Sequence, residues 1–143
     1  MEINDLYQEI ILEHNRSPLN YGIIEGEEPL EAHNPLCGDQ YRIYLKIEGN
    51  RVKNIKFEGK GCALSKASAS IMTKLAMGKT IEEVLRICKS VMDRVKGNND
   101  EKKSFEGDEE ISVLGGVSKY PSRIKCVTLS WHGLMGYINK YRA

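Results

Sequence analysis

The spacing of hydrophobic residues changes along the chain from helical to alternating and back to helical. Residues 4–15 place apolar side chains at intervals of three and four, which predicts a helix. Residues 41–48 and 52–59 alternate apolar and polar side chains, which predicts two strands joined by a turn at Gly49-Asn50. Such a pair forms an antiparallel hairpin with one face on a core. A third, shorter strand is predicted near residues 23–32.

Helical spacing returns after Cys62. An alanine- and serine-rich helix is predicted to end at Gly78, and Thr80 is predicted to cap the next helix. A last helix opens at Pro121 and runs to about Lys140.

Two stretches between these helices lack a clear pattern. Residues 97–110 are charged and rich in turn formers, so a mobile surface loop is predicted, and residues 111–117 form a short apolar patch without an assigned structure. The chain is therefore predicted to fold as a single α+β domain over residues 1–143, a small antiparallel β-sheet of about three strands with helices packed on it.

Composition narrows the possible functions. The 143 residues include 21 Lys and Arg against 20 Asp and Glu, so the formal net charge is +1. A nucleic-acid-binding protein usually carries a clear basic excess, so nucleic acid is not an expected partner. No apolar run approaches the ~20 residues of a membrane span, and the N-terminus mixes acidic with apolar residues, unlike a secretion signal. We therefore expect a cytoplasmic protein with no membrane partner.

The apolar faces of the predicted helices distinguish core cysteines from cysteines that are candidates for chemistry. Cys88 lies within the apolar stripe of its helix and is predicted to be a core residue. Cys126 is predicted to lie away from the stripe that contains Trp131, where it has no core to fill. It also lies near a helix start beside Arg123 and Lys125, an environment that favours the thiolate.

The other two cysteines also lie at the ends of predicted elements. Cys62 opens a helix after two glycines, and Cys37 lies in a turn-rich loop where Gly38 allows Cys37 and Asp39 to point to one place. Together with Cys126, these residues offer three thiolates and one carboxylate, a set that suits tetrahedral zinc and equally suits iron with sulfide. The spacing by itself leaves open both a shared metal site and separate inert thiols.

The three histidines and the tryptophan have structural interpretations. His14 lies on an apolar stripe and is predicted to be at least partly buried, whereas His33 and His132 are predicted to lie at the surface. Trp131 is predicted to be a core residue rather than a binding platform. None of the histidines is therefore a first choice as a metal ligand.

Three segments resemble the signature regions of the IscU/SufU (NifU N-terminal-like) family of iron–sulfur cluster assembly proteins. They read NPLCGDQ, FEGKGCALSKASAS and YPSRIKCVTLSWHGL, and the N-terminal LYQEIILEHNRSPLNYG is also similar to the family. Lys125 stands where the IscU branch typically has a histidine, and the 63 residues between Cys62 and Cys126 match the longer spacing of the SufU branch. The resemblance is therefore closest to SufU.

The resemblance implies roles for the matching residues. Cys37, Asp39, Cys62 and Cys126 would bind zinc, Cys37 would accept sulfur, and Arg123 would lie near the site and steer the chemistry. The implied partner is a SufS-type, PLP-dependent cysteine desulfurase, one of whose histidines would replace Cys37 on the zinc. Downstream iron–sulfur assembly or acceptor proteins would receive the product.

Two functions remain open within this resemblance, and two others are disfavoured. The protein would be either a zinc-dependent sulfurtransferase or a scaffold that transiently holds an iron–sulfur cluster at the same ligands. A structural zinc module usually shows C-x2-C knuckles and often a basic face, which this chain lacks. A zinc hydrolase or deaminase is disfavoured because the corresponding histidine motifs are absent from the sequence.

Overall fold

The computed structural model describes residues 9–35, 38–97 and 108–142. Three antiparallel strands form one sheet in the order β1-β2-β3, and helices pack against it, which confirms the predicted α+β class. The strands are β1 (Leu30–Asn34), β2 (Asp39–Glu48) and β3 (Arg51–Lys60). The helices are α1 (Glu9–Arg16), α2 (Ala63–Ala76), α3 (Ile81–Val95), α4 (Asp108–Gly115) and α5 (Ile124–Arg142), with short 3-10 helices at Gly116–Lys119 and Pro121–Arg123.

The predicted hairpin is confirmed. β2 and β3 pair antiparallel with Ile43 opposite Phe57, and both side chains are buried. The turn residues Gly49 and Asn50 have φ angles of 56° and 65°. Positive φ at both central positions matches the twist of the flanking strands and explains why glycine and asparagine occupy the turn.

The third strand lies later in the chain than predicted. β1 spans Leu30–Asn34 rather than residues 23–32, and it pairs with β2 from Leu30 opposite Ile43 to Asn34 opposite Asp39. The preceding residues form a turn in which Glu27 N donates to the carbonyl of Ile24 at 3.2 Å. The position of β1 is thus set by its pairing with the start of β2. The local spacing of hydrophobic residues cannot predict a contact between two segments.

Helices α2 and α3 begin where the sequence predicts. Cys62 is the N-cap of α2, and Thr80 caps α3 in a capping box in which the Thr80 and Glu83 side chains each bond the other's backbone. α2 is almost wholly enclosed, and its small Ala and Ser side chains allow α1 and α5 to approach closely. The Cys62 backbone is therefore fixed by a rigid central helix.

The predicted surface loop over residues 97–110 is wrong at its end. Asp108 begins α4, and Glu110 is 9% exposed and paired with Lys74 of α2. The apolar patch that follows continues this helix, with Ile111 and Leu114 buried. The acidic composition of this segment predicted an exposed loop. Glu110 can nevertheless be buried on one face of α4, because its charge is paired with that of Lys74. Residues 98–107 lie outside the described residues, as do residues 4–8 of the predicted first helix.

The last helix, α5, packs against both the sheet and other helices. α5 contacts β1, β2, α2 and α3, and Trp131 is fully buried on it with its indole N–H donating to Ser68 Oγ at 2.9 Å. This confirms the core position of Trp131.

Among the described residues, no helix has both the length and the apolar character required to cross a bilayer.

His14 joins α1 to α2 in the interior. It is 9% exposed, and its Nδ1 lies 2.7 Å from Ser70 Oγ, which also accepts a hydrogen bond from Leu19 N. A serine hydroxyl accepts up to two hydrogen bonds and donates one, so Ser70 can bond Leu19 and His14 at the same time. His33 and His132 are exposed, so all three histidine predictions are confirmed.

Acidification is expected to destabilise the protein through His14. Burial and the charge of Lys74 lower the pKa of His14, while Glu110 and Glu13 oppose this effect. The unfolded chain therefore binds this proton more readily than the folded protein does. The free energy of unfolding is highest above pH 6.5, where His14 is neutral in both states, and it falls as the pH decreases below that value. Urea unfolding on both sides of pH 6.5 measures the change. His14→Asn should reduce this pH dependence, whereas His132→Asn, which alters an exposed histidine, should leave it unchanged.

Candidate metal centre

Three side chains from three different elements converge at one end of the sheet. Asp39 is the first residue of β2, Cys62 caps α2, and Cys126 lies in the first turn of α5. The carboxylate oxygen and the two sulfur atoms lie within 4.8 Å of one another. This Asp39–Cys62–Cys126 cluster can hold a metal ion, and it is the only such group among the residues that the structure describes.

The Asp39 carboxylate is prepared for a cation. Asp39 is 2% exposed, and its Oδ1 accepts a hydrogen bond from Cys62 N at 3.1 Å. Its buried Oδ2 has no hydrogen-bond partner within the described part of the chain. Because a buried carboxylate oxygen without a partner is costly, the arrangement fits a group that supplies positive charge at this point. Two thiols and a carboxylate are also ligands that zinc accepts.

The Cys62 sulfur lies in an environment that favours its thiolate. Hydrogen bonding from Cys126 lowers the pKa of Cys62 well below its usual range, and a hydrogen bond from the Ser65 backbone adds to this. Burial and the Asp39 carboxylate act in the opposite direction. The backbone N–H of Ser65 donates to Cys62 Sγ at 3.4 Å, as expected for an N-cap side chain. A metal-binding thiolate is thus matched to this position.

Gly61 is required by the crowding beside the cluster. A Cβ on this residue would lie 2.6 Å from Asp39 Oδ1 and closer still to the hydroxyl oxygens of Tyr41 and Ser65. Burial raises the pKa of the Tyr41 phenol, so this hydroxyl keeps its proton. A side chain at position 61 would displace the Asp39 carboxylate or its neighbours.

The prediction that Cys126 has no core to fill is wrong. Cys126 is 4% exposed and belongs to the hydrophobic core. α2 and α3 cover α5 in addition to the sheet, so its buried face is wider than the single stripe through Trp131. The same packing of α2 on α5 brings Cys126 to Cys62.

The remaining cysteine and arginine predictions have separate outcomes. Cys88 is fully buried in the core, as predicted, and burial raises the pKa of its thiol to about 12. Arg123 is half-buried at the end of a 3-10 helix, three positions before Cys126. Cys37 lies outside the described residues. Next to it, Gly38 has a φ of 72°, and its N–H donates to the carbonyl of Asn34 at 2.9 Å.

Ser65 bonds to Cys62 of the cluster and Tyr41 bonds to Ser65, but neither residue was singled out from the sequence. Tyr41 follows Asp39 by two positions on β2, so strand alternation places both on one face. Ser65 follows Cys62 by three positions, the spacing at which an N-cap side chain meets the backbone of the first helical turn. The sequence shows both spacings, but neither spacing predicts the hydrogen bond between the Tyr41 and Ser65 hydroxyls.

The fold and the cluster together define a small α+β protein with a buried cysteine–carboxylate centre, and comparison with known proteins gives its relatives. The family described as "NifU-like N terminal domain" matches residues 6–127. The zinc-dependent sulfurtransferase SufU of Bacillus subtilis (strain 168) is 42% identical over 132 residues, which cover 92% of this chain and 88% of that protein. The iron–sulfur cluster assembly scaffold protein IscU of Streptococcus pyogenes serotype M1 is 34% identical over 139 residues, 97% of this chain and 86% of that protein.

A solved structure supports the same fold. The crystal structure of the N-terminal part of a nitrogen-fixing NifU-like protein from Brucella abortus superposes with a TM-score of 0.86 at 24% identity, covering 99% of both chains. The chain belongs to the NifU-like N-terminal domain family, which contains IscU and SufU, and it is an iron–sulfur cluster assembly protein. The resemblance noted in the three sequence segments is thereby confirmed.

Proposed function

We propose that this protein is a zinc-dependent sulfurtransferase that accepts persulfide sulfur from a cysteine desulfurase through Cys37. The observation that carries the proposal is the buried cluster of Asp39, Cys62 and Cys126, in which Asp39 Oδ2 has no partner among the described residues. The similarity to the zinc-dependent sulfurtransferase SufU supports zinc as the metal and sulfur transfer as the reaction.

Cys37 would complete a set of three thiolates and one carboxylate. It precedes Asp39 by two positions, and two residues of chain span at most about 7 Å. Bound zinc would keep the cysteine ligands deprotonated at neutral pH and, having no redox chemistry, would not oxidise them. Cys62 and Cys126 belong to packed helices. The sequence places Cys37 in a turn-rich segment, NPLCGDQ, so we propose that Cys37 is the ligand that can move at the smallest cost to the fold.

The transfer step would be a thiol–disulfide-type exchange. The Cys37 thiolate attacks the outer sulfur of the persulfide held by the desulfurase cysteine. A sulfur–sulfur bond forms at Cys37, the sulfur–sulfur bond in the donor breaks, and the desulfurase cysteine leaves as a thiolate. The sulfur atom and its proton pass to Cys37, so no external oxidant or reductant is needed. The donor would be a SufS-type, PLP-dependent enzyme.

Arg123 would assist by charge. It lies three positions before Cys126, and its guanidinium remains positive at all working pH values. We propose that this guanidinium faces the cluster, where its positive charge would stabilise the thiolate that the reaction releases. In this role Arg123 positions reactants and does not exchange sulfur itself.

The alternative function is scaffolding of an iron–sulfur cluster at the same ligands. It is supported by the 34% identity to a relative named as an IscU scaffold. Thiolates are also the usual ligands of such clusters. Downstream assembly or acceptor proteins would then receive a cluster rather than sulfur. Lys125 favours transfer, because the scaffold branch typically carries a histidine at that position.

Elemental analysis separates the two functions. We expect protein purified without added metal to contain one zinc per chain and to show no visible iron–sulfur absorbance. Cys88→Ala serves as a control for the loss of an arbitrary thiol and should contain the same zinc. Purified protein that carries iron and sulfide, and passes a cluster to an apo-ferredoxin, would favour scaffolding instead.

A further inference from the structure

Two buried hydroxyl groups hold the backbone around Cys62 in place. Tyr41 is 1% exposed and Ser65 is 2% exposed, and their oxygens lie 2.8 Å apart. Ser65 Oγ is also 3.0 Å from the carbonyl oxygen of Cys62. A carbonyl can only accept, so the Ser65 hydroxyl donates to Cys62, and the Tyr41 hydroxyl therefore donates to Ser65. The hydrogen bonds run in one direction, from Tyr41 through Ser65 to Cys62.

Every polar atom of Cys62 has a partner in this arrangement. Its N–H donates to Asp39 Oδ1, its carbonyl accepts from Ser65 Oγ, and its sulfur accepts from the Ser65 N–H. Asp39 and Tyr41 come from the same strand two positions apart, so β2 supplies both the carboxylate and the hydroxyl at the start of this chain of bonds. The Cys62 sulfur is thereby aimed at the cluster before any metal arrives.

We propose that Tyr41 is a positioning residue for the metal-binding thiolate of Cys62 and that it acts through Ser65. The inference rests on the proposed zinc site. Partners that orient metal ligands typically contribute 10–100-fold to metal affinity, so loss of the Tyr41 hydroxyl is expected to weaken zinc binding about tenfold. The aromatic ring would remain packed beside Phe57, at a centroid distance of 5.9 Å, in a phenylalanine variant.

The experiment measures zinc affinity by competition with a chromophoric chelator in Tyr41→Phe, Ser65→Ala and the double variant. Tyr44→Phe is the matched control, because Tyr44 is a buried tyrosine on the same strand. Each single variant should bind zinc about tenfold more weakly than the wild type. The double variant should bind no more weakly than either one, since both changes interrupt the same chain. Tyr44→Phe should match the wild type.

Two further readouts separate positioning from general stability. The thiolate-to-metal charge-transfer bands of the Co²⁺-loaded protein should shift in Tyr41→Phe, because the Cys62 sulfur is less constrained. Unfolding of the metal-free variants in urea shows how much stability each change costs. A purely structural role would lower that stability while leaving zinc affinity and the cobalt bands as in the wild type.

The outcomes distinguish this inference from the proposed function. If the wild type binds zinc and Tyr41→Phe binds it equally well, the positioning role is wrong and the zinc site stands. Losses that simply add in the double variant also contradict action through Ser65. A wild-type protein that binds no zinc would overturn the proposed function and this inference together.

Discussion

Replacing Cys126 with alanine is expected to abolish zinc retention, while replacing Cys88 with alanine leaves it intact. Both cysteines are buried, so the two changes remove the same atom from similarly enclosed positions. Only Cys126 lies with Asp39 and Cys62 in the cluster. Losing one of few thiolate ligands leaves the zinc coordination incomplete, whereas losing the Cys88 sulfur leaves a small cavity that costs about 1 kcal/mol.

Zinc-dependent stabilisation provides the measurement for this pair. A ligand that binds only the folded state adds about 2.7 kcal/mol to the free energy of unfolding at one hundred times its dissociation constant. Added zinc should therefore raise the unfolding free energy of the wild type and of Cys88→Ala, but not that of Cys126→Ala. Equal zinc stabilisation of both variants would show that the metal binds elsewhere.

Replacing Cys37 with alanine is expected to eliminate stimulation of a SufS-type desulfurase, so that turnover falls to the rate of that enzyme alone. The proposed reaction needs a thiolate that can leave the cluster, and Cys62 and Cys126 are fixed by α2 and α5. Without Cys37, the remaining cluster sulfurs are too constrained to reach a partner's persulfide. Sulfide release from free cysteine, with and without this protein, measures the effect.

Two controls sharpen the test of Cys37. Cys88→Ala should stimulate the desulfurase as the wild type does, because its thiol lies in the core with a raised pKa. Arg123→Ala should weaken stimulation without eliminating it, since its charge assists and its side chain does not accept sulfur. Undiminished stimulation by Cys37→Ala would show that Cys37 does not accept the sulfur. It would thereby contradict the proposed function of the Asp39–Cys62–Cys126 cluster.

Much of the fold was predictable because local patterns specify it. The β2–β3 hairpin follows from alternation around Gly49-Asn50, and the α3 start follows from the Thr80 capping box. The position of β1 was not predictable, because its pairing with β2 is a contact between segments. α4 was missed because the charged composition of residues 97–110 predicts a solvated loop, whereas Glu110 is buried and paired with Lys74 of α2.

The site was predictable to a different extent. Element ends and thiolate-favouring environments pointed to Asp39, Cys62 and Cys126, and the structure brings these three together. The burial of Cys126 was not predictable from one stripe, because α5 is covered on several sides. The meeting of Tyr41 and Ser65 depends on how β2 packs beside the α2 start, which neither segment specifies alone.

Acceptance of sulfur by Cys37 can be observed by mass spectrometry of the peptide that contains it. The wild-type protein is incubated with a SufS-type desulfurase and free cysteine, alkylated and digested. If Cys37 is the acceptor, its peptide gains the mass of one sulfur atom, and the peptides that contain Cys62, Cys88 and Cys126 do not. Persulfide found on another cysteine, or persisting in Cys37→Ala, would contradict it.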